Sequence, residues 1–135
     1  MNVGYVDTSC LVAVAFGQPG HEAIVARLQA FDLIVSSNLL EAELRAALAR
    51  EGVSDAGSIL GRVSWLLPDR PLGQEIGDVL AAGYLRGADL WHLACALHLS
   101  PDPGELTFLT LDQQQAAVAA TLGFRVDGSA QAQST

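Results

Sequence analysis

Apolar positions recur in two rhythms along this 135-residue chain. Short unbroken runs at 3–6, 33–35, 107–111 and 124–126 read as strands buried on both faces. Between them, longer stretches repeat at helical spacing. The first, 10–16, ends at Gln18-Pro19-Gly20, and the next, 21–31, turns Ile24, Val25 and Leu28 inward. Ser36-Ser37-Asn38 supplies capping residues for a helix over 39–50 that Gly52 ends, with Asn38 and Glu41 at capping-box spacing. A helix over 54–67 starts at Ser54 or Asp55, is weakened by Gly57 and Gly61, and stops at Pro68-Asp69-Arg70-Pro71. The spacing also predicts helices over 72–84, with Ile76, Val79 and Leu80 inward, and over 112–122. The strongest pattern is 85–97, where Leu90, Leu93, Ala94 and Leu97 form one stripe that carries Asp89 into the fold. Strands alternating with helices predict an α/β domain with a central parallel sheet flanked on both faces. It spans 1–126, and the Gly, Ser, Gln and Ala composition of 127–135 reads as a flexible tail.

Half of the residues are hydrophobic and 16% are charged, so the chain has the composition of a folded domain. It has no run of eighteen apolar residues and no signal-peptide pattern, which makes a cytoplasmic protein without a membrane partner the expectation. Cys10 and Cys95 lie in apolar helical patterns and read as buried reduced thiols. The net charge is −8 with a pI near 4.5, and every cationic side chain other than histidine is an arginine. Such a surface repels a phosphate backbone at long range and favours a basic protein partner. A nucleic acid would have to be held locally, by metal ions and by a rim of arginines such as Arg45, Arg50 and Arg86.

Four acids sit at the ends of elements: Asp7, Glu43, Asp89 and Asp112. Each has an ordinary reading. Asp7 can cap the helix after the first strand, Glu43 can face solvent, Asp89 can serve a helix dipole, and Asp112 with Gln115 resembles a capping pair. If all four converge at one edge of a sheet, they cannot all be bare anions, because one like-charge pair at 4 Å costs about 4 kcal/mol at an effective dielectric near 20. Either some pKa values rise or a cation sits among them. Oxygen ligands select a hard ion, Mg²⁺ or Mn²⁺, whereas His21, His92 and His98 lack paired zinc-ligand spacing. A hard metal on carboxylates suits phosphodiester chemistry, with Thr8, Ser9 and Thr110 either positioning water or acting as caps. His92 reads as a half-buried histidine bonded locally beside Trp91, and Trp65 and Trp91 as core or interface residues.

Four blocks in order, Tyr5-Val6-Asp7-Thr8-Ser9, Ser37 through Glu43-Leu44-Arg45-Ala46-Ala47-Leu48, Ala88-Asp89-Leu90-Trp91-His92-Leu93-Ala94, and Leu109-Thr110-Leu111-Asp112 with Ala116-Ala117 and Leu122-Gly123, resemble the PIN domain, and most closely the VapC-type toxin ribonucleases. The resemblance implies a PIN-like three-layer domain in which Asp7, Glu43, Asp89 and Asp112 ligate Mg²⁺ or Mn²⁺. Thr8, Ser9 and Thr110 would support them by holding waters. It further implies endonucleolytic RNA cleavage by metal-activated water, leaving a 5′-phosphate and a 3′-hydroxyl. A homodimer silenced by a cognate antitoxin with a basic tail is implied as well. The low pI departs from easy RNA binding and points to one structured RNA as substrate. Two other readings compete: a phosphohydrolase or receiver-like domain using Asp7 as phosphate acceptor, and a non-catalytic domain that binds a basic partner.

Overall fold

A computed structural model describes residues 1–53 and 57–126. Its strands are β1 (Val3–Val6), β2 (Leu33–Ser37), β3 (Val63–Leu66), β4 (Leu106–Leu109) and β5 (Arg125–Val126). All neighbouring pairs are parallel, in the order β3-β2-β1-β4-β5. The chain therefore winds outward on one side of β1 and then crosses to the other. That reversal leaves a crevice between the carboxyl ends of β1 and β4, the place where open α/β sheets bind ligands.

Successive strand residues face opposite ways, which gives the sheet two apolar faces. Val6, Ile34, Val63 and Leu109 pack beneath α1 (Thr8–Ala15), α2 (His21–Gln29), α3 (Asn38–Arg50) and α4 (Gly57–Leu60). Tyr5, Leu106 and Phe108 pack against α5 (Gly73–Ala82), α6 (Gly87–Leu99) and α7 (Gln113–Leu122). The result is the expected three-layer α/β fold. Gly4 lies where a Cβ would come within 2.7 Å of Leu109 Cδ1 and 3.2 Å of the Phe31 ring, so a side chain there would force Leu109 to move. Gly123 closes α7 in the left-handed conformation, at φ 103°.

The predicted helix over 54–67 is not formed. Its proposed caps, Ser54 and Asp55, lie outside the described residues; beyond them stands the short α4, and then Val63–Leu66 pairs with β2, Ile34 opposite Val63 and Ser37 opposite Leu66. Gly61 ends the helical turn, and the free edge of β2 offers backbone partners that a β-branched and aromatic segment satisfies better as a strand. Trp65 thus sits half-buried on an edge strand. The predicted capping box on α3 is also absent: Ser37 is the N-cap without a side-chain bond, and Glu41 instead pairs with Arg45 at 2.8 Å. In α6, His92 through Ala96 are buried without interruption while Leu90 and Leu97 are half-buried, because this helix packs on both α5 and β2. One stripe is too narrow a description of it. Cys10 and Cys95 are buried and form no disulfide, and among the described residues no helix is long and apolar enough to cross a membrane.

Candidate active site at the carboxyl edge of the sheet

Strand register decides which side chains meet. Val6 pairs with Leu109, so the next residues, Asp7 and Thr110, lie side by side, and the Asp7 N–H donates to Leu109 O at 3.1 Å. Asp7 is 3% exposed and makes no capping bond to α1. Its charge is met by hydroxyls: Ser9 donates to Oδ1 at 2.7 Å, and Thr110 Oγ1 lies 2.7 Å from Oδ2. Burial pushes this carboxyl up to about 6, against the downward pull of the two hydroxyls and of His92.

Thr110 exposes a proton shortage. Its Oγ1 is also 2.8 Å from Gln115 Oε1, and one hydroxyl proton cannot serve two acceptors. Gln115 Nε2 donates to the Asp89 carbonyl at 3.1 Å, which fixes the amide with Oε1 toward Thr110. When Asp7 is protonated, its O–H donates to Thr110 and Thr110 donates to Gln115, so every group is satisfied. When Asp7 is ionised, one acceptor goes without. Competition from Gln115 for the Thr110 proton therefore limits how far that hydroxyl can offset burial at Asp7.

Glu43 projects from α3 to the same edge. Its Oε1 accepts from Thr8 Oγ1 at 2.7 Å and lies 3.1 Å from His92 Nε2. The His92 hydrogen bond, assisted by Thr8, holds the Glu43 carboxyl below its ordinary range. Asp89, in the first turn of α6, is shifted the other way by partial burial and then by the charges of Asp112 and Glu43, with His92 and Arg86 opposing. Asp112 is exposed and caps α7, its Oδ1 accepting the Gln115 N–H at 2.9 Å. The capping pair foreseen there is real, and the same carboxylate acts on Asp89. Asp7 and Glu43 do not face apart, since Thr8 and His92 link the two sides of the cluster.

The supporting hydroxyls divide their work. Ser9 Oγ accepts the Leu111 N–H at 3.0 Å while donating to Asp7, and Thr110 Oγ1 accepts the Asp112 N–H at 3.0 Å. They hold the loop after β4 against the start of α1 and orient Asp7. Of the anticipated basic rim, Arg45 is drawn to Glu41 and Arg50 lies 3.8 Å from Glu51, so the arginine that acts on the acids is Arg86.

Carboxylates and hydroxyls at this edge form the donor set of a hard divalent cation. A buried Asp7 without an ion pair and an Asp89 raised by burial and then by neighbouring charge are what such a cation would relieve, so Mg²⁺ or Mn²⁺ fits in chemistry and charge. Among the described residues, no three histidine, cysteine or acidic side chains stand close enough to hold one ion as placed.

Three participants escape a reading of the sequence. His92 is 1% exposed and bonded across the fold to Tyr5 and Glu43, not half-buried with local partners. Tyr5 looks like a strand residue, and Gln115 looks like a cap partner. The contacts of Tyr5 with His92, His92 with Glu43 and Gln115 with Thr110 join separate elements, so spacing along the chain carries no signal of them.

A model of the PIN domain family matches residues 4–123. Ribonuclease VapC46 of Mycobacterium tuberculosis is 34% identical over 125 residues, covering 90% of this chain and 94% of that protein. No solved structure gives a significant match.

Proposed function

Since the chain belongs to the PIN-domain family and is related to a VapC ribonuclease, we propose that it is a metal-dependent endoribonuclease toxin of VapC type. Asp7, Glu43, Asp89 and Asp112 would hold Mg²⁺ or Mn²⁺. A hard ion bound there supplies an activated water at neutral pH and polarises the phosphoryl oxygen. Thr8, Ser9 and Thr110 keep the carboxylates oriented. Glu43, with its lowered pKa, is ionised at neutral pH and stands ready to orient water. Arg86, next to Asp89, offers a local positive charge for a substrate phosphate on an otherwise acidic surface.

The observation that carries this reading is a buried aspartate with no ion pair, at the switch point of the sheet, on an edge that also carries Glu43, Asp89 and Asp112. A carboxylate buried for structure alone is ordinarily paired with a cation. The partners that go with the reading are a structured RNA, a second copy of the chain, and a cognate antitoxin whose basic tail lies over the acids, all in the cytoplasm. The phosphate-acceptor alternative on Asp7 is disfavoured, since both of its oxygens are engaged by hydroxyls and the sequence offers no lysine to meet a phosphate.

The test is cleavage of structured RNAs by purified protein in Mn²⁺, compared with Glu43→Gln. Metal-dependent cuts in the wild type that vanish in a folded Glu43→Gln variant support the proposal. Cleavage that persists with chelator or in the variant overturns it.

A further inference from the structure

We propose that Tyr5 and His92 are positioning residues for Glu43: the phenol fixes the ring as its Nε2–H tautomer, and the ring then engages Glu43 Oε1 and leaves Oε2 as the oxygen presented to the site. The role assigned to Glu43 rests on the nuclease reading, whereas the tautomer does not.

Tyr5 is fully buried on β1, stacked on Phe108 at 5.4 Å between centroids and edge-on to His92 at 5.8 Å. Its oxygen receives the Ser37 N–H at 3.1 Å and lies 2.9 Å from His92 Nδ1. The Ser37 N–H is a donor, so among the described residues Nδ1 is the acceptor within hydrogen-bond distance for the phenol's own proton, and a ring nitrogen that takes that proton is the bare one. Nε2 carries the hydrogen and donates to Glu43 Oε1 at 3.1 Å. Thr8 Oγ1 donates to that same oxygen at 2.7 Å, and it also lies 3.3 Å from Nε2. Among the described residues Oε2 has no hydrogen-bond partner. The side chain is thus held through one oxygen and directed through the other.

Burial gives the relay its rigidity. With Tyr5 at 0% and His92 at 1% exposure, water cannot replace a lost partner, so an altered tautomer turns a donor toward Glu43 into an acceptor. The relay reaches from the centre of the sheet to α3, across the backbone N–H that opens that helix. Partners of this kind, one bond removed from a working carboxylate, set its direction without touching substrate.

Long-range ¹H–¹⁵N spectra of the metal-free wild type test the tautomer directly. A protonated Nε2 with a bare Nδ1 is expected for His92, and a neutral ring protonated at Nδ1 overturns the inference. In kinetics, Tyr5→Phe should lower kcat about 10–100-fold with KM unchanged, as loss of a ligand-orienting partner does. His92→Gln, which keeps an N–H for Glu43, should retain more kcat than His92→Leu; equal rates in those two folded variants also overturn it. A wild type that never cleaves RNA defeats the nuclease reading alone, because the ring spectrum still decides the relay.

Discussion

Helix α6 carries His92 at its middle and His98 in its last turn, and the two surroundings differ in one respect that separates chemistry from support. At the far end, His98 lies 3.9 Å from Glu75, and Arg70 forks onto both Glu75 oxygens. That arginine holds the Glu75 carboxyl below its ordinary range, and the group needs nothing more. At the middle, His92 faces Glu43 on the edge where Asp7 has hydroxyls but no ion pair. Both regions pair Glu with His. One is electrically closed, tying the segment after β3 to α5 and α6, while the other retains excess negative charge at the mouth of the crevice. A carboxylate left without a cation on so acidic a chain is what the proposed metal ion would compensate.

The sharpest way to break this contrast is Asp7→Asn. RNA cleavage should fall by at least about 100-fold, as when a preorganised charged group is removed from a site. The same variant should be more stable than the metal-free wild type at pH 8. Asp7 has a folded-state value of about 6 against an ordinary 3.8, so its contribution favours folding fully below 3.8 and is lost as pH rises through about 6. The loss is roughly 2–3 kcal/mol, and denaturant melts of the two proteins between pH 4 and 8 should diverge by that order. Glu43, shifted oppositely, favours folding at higher pH and is common to both proteins, so the difference isolates Asp7.

Next in size is metal stabilisation. Mn²⁺ at a hundred times its dissociation constant should stabilise the wild type by about 2.7 kcal/mol, and should leave Asp7→Asn unaltered. Thermal melts with and without the ion check this; an equal shift in Asp7→Asn would place the ion elsewhere.

Asp112 separates two duties of one residue. Asp112→Ala should cost about 1 kcal/mol through loss of the α7 cap, whereas Asp112→Asn keeps the cap and should melt like the wild type. If both variants lose cleavage alike, the charge near Asp89 matters beyond the cap. The smallest expected effect is that of Glu75→Gln, which opens the Arg70 clip. Its melting temperature should drop slightly with cleavage and Mn²⁺ response intact; loss of either would erase the distinction between the two histidine surroundings of α6.

The layered α/β architecture was legible because buried parallel strands and their covering helices leave uninterrupted apolar runs and helical periods. The segment 54–67 was misread because α4 and β3 share it, and only the open edge of β2 decides that Val63–Leu66 extends. The four acids and three hydroxyls were visible as residue types in ordered blocks. Their electrostatic states were not, since the Asp7 shift depends on burial and on a Thr110 proton sought by Gln115, residues 103 and 5 positions away from Thr110 along the chain.

The sequence by itself determined the alternation of strands and helices, the acidic surface, and the identity of the oxygen ligands available to a cation. Tertiary structure decided which carboxylates go uncompensated, which oxygen of Glu43 is free, and that His92 reaches Tyr5. Composition and period are properties of neighbours along a chain, whereas pKa, tautomer and charge balance are set by atoms that only folding brings within hydrogen-bonding distance.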